Sequence, residues 1–366
     1  MNPSPPDASQ PGPVVDYPVD DMTITVLAEM TTGQLTAVLA RNSQQLPIDA
    51  ADDEQTIGQL VMQDVCGPRQ YGCGTLRDYV IGIEALDGQG RRFHAGGRVV
   101  KNVAGYDLCR MLVGSEGKLG TVTAVTFKVR PLPPSTALLA AAFSDCRQLA
   151  AALDRLNTST TTPVILDVVN QAAAERLFST AFPQLLTTSS GKQGNPTVAH
   201  LLIGFDGSPE ACHWQLSALS GELGTFASHL QPLPQPTASA DWCRTAQQSA
   251  GPQPSVPWLS RLTILPSRVA AAVEQASLAG CEIFGRAGNG VLFVRPAAAG
   301  HQADESAVLS QLQPLLTPPA GSLRVLRGNP AFNTRSSVRV QQLSVALQHA
   351  LAAQDSARGT AQGSQQ

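Results

Sequence analysis

Residues 96–133, GGRVVKNVAGYDLCRMLVGSEGKLGTVTAVTFKVRPLP, separate two kinds of sequence pattern. Gly96, Gly97, Gly105, Gly114, Gly117 and Gly120 punctuate this stretch. It closes on the alternating run Thr121 to Val129, which its period of two predicts to be a strand. Glycine reaches positive φ and carries no side chain, so its backbone can close on a ligand or on a neighbouring strand. Tight turns between strands use glycine for the same reasons, and the glycines taken singly leave both readings open. PLPPS, residues 131–135, is the best domain boundary, because its prolines have no amide to give a ladder.

Before that boundary the pattern is strand-rich. Thr23 to Glu29 alternates as a strand, and Thr32 is placed to cap a helix whose apolar face is Leu35, Val38 and Leu39. Thr75 to Leu86 reads as a helical turn and then a strand. Asp87-Gly88-Gln89-Gly90 turns it, and Arg91 to His94 returns as its partner. A helical patch is expected near Leu108 to Val113. Beyond the boundary, strands alternate with helices. Strands are expected at 137–143, 164–169, 199–205 and 258–264, with helices from Ser144 as cap to Leu156, at 209–219 and at 267–279. Cys281 to Phe284 and Val291 to Val294 form a hairpin around GRAGNG. This succession suits an α+β layer with a mixed or antiparallel sheet. Pro, Ser, Thr and Gln cluster at 186–196 and 232–256, as in exposed loops.

Composition narrows the function. Of 366 residues, 43% are hydrophobic and 14% charged, which suits a globular protein of two or three domains with a large core. The net charge of -3 gives no basic footprint for nucleic acid. No apolar run is long enough to span a bilayer, and MNPSPPDASQPGPVV lacks the features of a secretory signal. The seven cysteines are scattered without a CxxC, as free thiols of a cytoplasmic protein are, and an iron–sulfur cluster in this chain is not expected. Ser-His-Asp, HExxH and Walker patterns do not occur. The GxG at Gly72 to Gly74 meets Arg77 where a Rossmann fingerprint needs its third glycine.

The string GYDLCRMLVGSEGKLG, with TIGQLVMQDVCGPRQYGCGTLRD upstream, resembles the PCMH-type FAD-binding domain of the vanillyl-alcohol oxidase superfamily. Within it, the string resembles the glycolate oxidase E subunit type, and hydroxy-acid dehydrogenase relatives carry similar GYDL and GSEGKLG-like runs. The resemblance covers about residues 20–133 strongly and the remainder to about Leu326 weakly. It implies an α+β fold, with a partial PCMH-type FAD-binding domain at 20–134 and a smaller α+β cap at 135–330. A disordered lead at 1–20, a C-terminal helix at 331–352 and a disordered tail at 353–366 complete the expectation.

An extended dinucleotide needs backbone donors near its pyrophosphate, an adenine slot and a surface beside the isoalloxazine ring. The resemblance assigns these to Gly58 in the TIGG-type turn, Gly67, Tyr71, Gly72 and Thr75, and to Gly117, Gly120 and Val122 along the adenine end. Lys101 and Asn102 could face a substrate carboxylate or the flavin, or tie their loop to itself. Arg77 and Asp78 loosely match the family's glycine-then-Arg-Asp element or form a structural ion pair fixing the turn, and the second reading is favoured.

Three departures stand out. The RGGGT-type loop and the lobe before it are not present ahead of Thr23. Gln59 stands where a second glycine is usual and would narrow the turn. Arg286 replaces the histidine often found before Ala-Gly, so no metal is expected there. The NPGRF-like ending is also missing after Gln341, so the chain looks trimmed at both ends. The expected function is an FAD-binding subunit of a glycolate oxidase-like 2-hydroxy-acid oxidoreductase complex. Flavoprotein and iron–sulfur subunits are its partners, a small 2-hydroxy acid is its substrate, and any membrane association comes through those partners. A structural subunit that has lost FAD is the alternative. The isolated chain is expected to hold FAD weakly, because two phosphates need preorganised backbone donors.

Overall fold

A computed structural model describes residues 12–97, 107–187, 196–233, 237–297, 304–316, 321–329 and Asn333. Lys101, Asn102, the expected C-terminal helix and the expected tail, Asn333 apart, lie outside the described residues.

The first part of the chain builds a five-stranded antiparallel sheet. In chain order its elements are β1 (Val14–Asp16), β2 (Thr23–Leu27), α1 (Thr32–Ala40), β3 (Gln44–Gln45), α2 (Ile57–Gln63), α3 (Gln70–Cys73), α4 (Leu76–Tyr79), β4 (Val80–Leu86), β5 (Arg92–Gly96), α5 (Leu108–Leu112), β6 (Thr121–Lys128) and β7 (Arg130–Pro131). The strand order is β1-β2-β6-β4-β5, and β3 and β7 form a separate small ladder. The alternation seen in sequence sets which face is buried: Ile24, Val26, Val122, Val125 and Phe127 enter the core with Leu35, Leu60 and Leu76. Part of the lead expected to be disordered is instead ordered, since Val14–Asp16 pairs with β2 and a 3-10 turn follows at Val19–Asp21.

The second sheet is the larger, with eight strands against five, where a smaller cap was expected. Its elements are β8 (Ser135–Phe143), α6 (Cys146–Leu156), β9 (Ile165–Asn170), α7 (Gln171–Ala181), α8 (Pro183–Thr187), β10 (Ala199–Gly207), α9 (Pro209–Leu223), β11 (His229–Leu233), α10 (Ala238–Ala250), β12 (Leu259–Thr263), α11 (Val269–Leu278), β13 (Cys281–Arg286), β14 (Val291–Pro296), α12 (Glu305–Leu312) and β15 (Ser322–Arg327). The strand order is β11-β8-β10-β9-β13-β14-β12-β15, antiparallel throughout. Both faces are covered, so its central strands are buried along their whole length rather than on alternate residues. One face packs Leu149, Leu219 and Val273 of α6, α9 and α11; the other packs Phe178 of α7 and Trp242 of α10.

Several local expectations need correction. Thr31, not Thr32, caps α1, because its hydroxyl accepts the Gln34 amide while the Gln34 side chain takes the Thr31 amide. Asp145, not Ser144, caps α6 by accepting the Gln148 amide. The stretch 232–256 is not simply an exposed loop. It contains the helix α10, whose Trp242, Cys243, Ala246 and Ala250 are buried at helical spacing.

Candidate functional site

Most of the glycines expected to serve a cofactor are used by the protein itself. Gly58 sits in α2, which Thr56 and Gln59 open with a capping box, so Gln59 caps a helix instead of narrowing a turn. The Gly58 amide donates to Ala28 at 2.8 Å, and a Cβ there would meet the Ala28 methyl at 3.2 Å. A Cβ on Gly67 would run into the Asp49 side chain, and one on Gly120 into the Leu86 carbonyl. Gly72 lets α3 touch the eight-stranded sheet. Its amide donates to the Val164 carbonyl at 3.1 Å, and a Cβ would lie 2.7 Å from Val164 Cα. Tyr71 packs its ring on Gly288, where no side chain would fit. Val122 is buried in β6 opposite Ala85.

The remaining expected positions are divided in the same way. Thr75 donates both its amide and its hydroxyl to Asp78, each at 2.8 Å, which holds the Asp78 carboxyl below the usual range. Arg77 and Asp78 therefore do not pair. Arg77 instead bonds Asp64 at 3.2 Å and the Val113 carbonyl at 3.0 Å, tying α2 to the GSEGKLG loop. In that loop the Gly114 and Glu116 amides donate to Val61 and Met62. Gly117, at φ +76°, is the open position: a methyl placed there would meet nothing nearer than Met62 Sδ at 3.8 Å.

Among the described residues, buried polar atoms without partners occur in both lobes, Asp64 Oδ1 and Ser115 Oγ of the first among them, but the unpartnered guanidinium nitrogens all belong to the second: Arg176, Arg261 and Arg286. Along one face of the second sheet, cross-strand pairing lines up Arg324, Arg261, Phe293 and Phe284; Arg286, two residues beyond Phe284 on the same strand, pairs across with Asp167. Arg286 is 1% exposed. Its Nη2 donates to Gln247 at 2.5 Å and its guanidinium stacks 5.2 Å from the Phe293 ring, yet Nε and Nη1 have no partner. The buried Nε of Arg261 is also unpartnered. Arg324, at the exposed end of the row, bonds Glu116 of the GSEGKLG loop, so the row meets the first lobe there. Burial lowers Arg261 from its ordinary range, with the Arg286 charge adding to it; Cys66 is raised, mainly by burial.

A guanidinium buried with open donors fits a carboxylate, which accepts two parallel N–H bonds. Sequence reasoning missed this row because Arg261, Arg286 and Arg324 stand far apart in the chain and each reads alone as a polar strand position. A separate cavity of about 380 Å³ lies at the linker, lined by Arg69, Pro134, Asp206 and Cys243 among others, away from the arginine row. Beside it Asp49 accepts from Arg69 at 2.7 Å, a mostly buried ion pair that fixes the loop before α3.

Comparison with known proteins places a family match in the first lobe. Residues 12–96 match a family described as an FAD binding domain. Glycolate oxidase subunit GlcE of Escherichia coli is 38% identical over 122 residues, 33% of this chain and 35% of that protein. Glycolate oxidase subunit GlcD of Bacillus subtilis is 31% identical over 198 residues, 53% of this chain and 40% of that one. A D-lactate dehydrogenase of Archaeoglobus fulgidus is 34% identical over 116 residues, 32% of this chain and 26% of that protein. The matched segments thus span well under half the length of these relatives. Among solved structures, an alkyldihydroxyacetonephosphate synthase superposes with a TM-score of 0.62 at 15% identity, covering 82% of this chain and 61% of that one. The chain shares the fold of that solved structure, and FAD is the cofactor that the family match supports. Among the described residues, no helix is long and apolar enough to cross a membrane.

Proposed function

We propose that this chain is the FAD-linked subunit of a 2-hydroxy-acid oxidoreductase complex of the glycolate oxidase type, and that the arginine row receives the substrate carboxylate. The observation that carries this reading is Arg286, buried with Nε and Nη1 unpartnered on the sheet face that the first lobe meets. An open donor on a buried charge costs about 1–3 kcal/mol, a cost that a bound carboxylate removes. Glycolate and D-lactate, named in the relatives above, are both small 2-hydroxy acids. FAD, when bound, supplies the two-electron acceptor.

The described residues fit that cofactor only in part. The surface around Tyr71, Thr75 and the open side of Gly117 is suited to lie beside it. The amides of Gly58, Gly72, Gly114, Glu116 and Gly120 are all donated to protein carbonyls, so they form no phosphate cradle. That observation also supports the second reading, a non-catalytic subunit that keeps the fold and the partner surface without FAD. Visible absorbance of the purified protein, alone and co-expressed with its flavoprotein and iron–sulfur partners, separates the two. Flavin in the complex and little on the lone chain supports the proposal. No flavin on this subunit in either preparation supports the structural reading.

A further inference from the structure

We propose that Asp167 is the proton-holding partner of the Arg286 site, so that an anion docks on Arg286 together with a proton taken up by the Asp167 carboxylate. This rests on the carboxylate reading above and adds the way binding is tied to pH.

Asp167 on β9 and Arg286 on β13 are directly paired in register, which sets their Cβ atoms about 4.5–5.5 Å apart. Asp167 is 0% and Arg286 1% exposed. No ion pair joins them among the described residues, although they carry opposite charges. Each is turned to another partner. Asp167 Oδ2 accepts from Trp242 Nε1 at 3.0 Å and Oδ1 has none, while Arg286 gives Nη2 to Gln247. A purely structural bridge would have closed these open atoms on one another.

The groups facing Asp167 come from four elements: Arg286 of β13, Trp242 and Cys243 of α10, Asp49 from the loop before α2, and the apolar Leu202 opposite on β10. Burial outweighs the Arg286 charge and the Trp242 bond, with Asp49 adding in the same direction, and the carboxyl is raised to about 7. A second anion at Arg286 would stand beside an ionised Asp167, so binding favours the protonated acid. The linkage sign follows. Below about pH 7 the acid is already neutral and affinity is level; above it each anion must bring a proton, and affinity falls as pH rises.

The experiment is calorimetric titration of the purified full chain with glycolate at pH 6 and 8, using wild type and Asp167→Asn. The wild-type Kd is expected to be about tenfold weaker at pH 8 than at pH 6. Asp167→Asn, which keeps an acceptor for Trp242, is expected to vary less than about twofold. Wild-type titrations at pH 7 in two buffers of different ionisation enthalpy, which need no variant, should show net proton uptake. An equal pH slope in both proteins, or no proton uptake by the wild type, overturns the inference while leaving the carboxylate reading intact. No glycolate binding at either pH overturns both.

Discussion

The two sheets of this protein divide recognisable motifs from unpartnered buried guanidinium groups. The five-stranded lobe carries the glycine-rich strings that resemble a cofactor site, yet most of those glycines are filled by Ala28, Asp49, Val164 and Leu86. The eight-stranded sheet carries no motif of comparable length, yet it holds the unpartnered buried arginine nitrogens and, beside them, the open Oδ1 of Asp167. A string that marks a family thus records first what the fold needs, such as close backbone approach at α2, α3 and β6. Open hydrogen-bonding capacity in a buried place records what a ligand would complete.

The sharpest test on the side of the eight-stranded sheet is Trp242→Ala. It removes a fully buried side chain and its hydrogen bond to the Asp167 carboxyl, and should cost about 3–5 kcal/mol in urea denaturation. A loss below about 1 kcal/mol would show that α10 is not integral to this sheet. On the side of the lobe, Asp49→Asn breaks the mostly buried pair with Arg69 and should cost about 3 kcal/mol, seen as a lower denaturation midpoint at unchanged slope. Gly72→Ala sharpens the comparison itself. Its methyl would press on Val164 Cα at 2.7 Å and the Pro163 carbonyl at 2.8 Å, so a loss of about 1–3 kcal/mol is expected. Full stability with altered flavin content would instead make Gly72 a ligand-facing glycine.

The pH dependence of stability gives a smaller effect. Burial holds His200 neutral by lowering it from 6.5 to about 4, with His229 contributing in the same direction. Because the folded value is the lower one, stability is full above about pH 6.5 and is lost as pH falls toward 4, by at most about 1.4 kcal/mol per unit. Thermal midpoints at pH 7 and pH 5 should therefore differ less in His200→Gln than in wild type. Gly58→Ala should be the mildest change. Ala28 would be met at 3.2 Å, within what a small shift absorbs, and the helix gains propensity, so the net change should stay under about 1 kcal/mol.

Much of the fold was legible because period-two alternation in Thr23–Leu27 and Thr121–Lys128, and strand–helix alternation after PLPPS, are local signals. The helix α10 was hidden by its serine and glutamine content, although the spacing of Trp242, Ala246 and Ala250 already marked a buried face. At α2, the Thr56–Gln59 capping box was readable, but the family pattern drew attention to a missing glycine instead. The arginine row was not readable. Arg261, Arg286 and Arg324 become neighbours only through the order β13-β14-β12-β15, which no local pattern specifies. Asp167 was hidden for the same reason: a single acid in an apolar strand gives no sign of the partner that register places beside it.

The division between a self-filled glycine lobe and an open arginine face is tested most directly by glycolate affinity at pH 6 in wild type, Arg286→Gln and Gly58→Ala, each confirmed folded by circular dichroism. Arg286→Gln should weaken glycolate binding by about 10–100-fold, as loss of a charged hydrogen-bonding group does, while Gly58→Ala should bind within about twofold of wild type. Wild-type affinity in Arg286→Gln, or an equal loss in Gly58→Ala, would contradict that division.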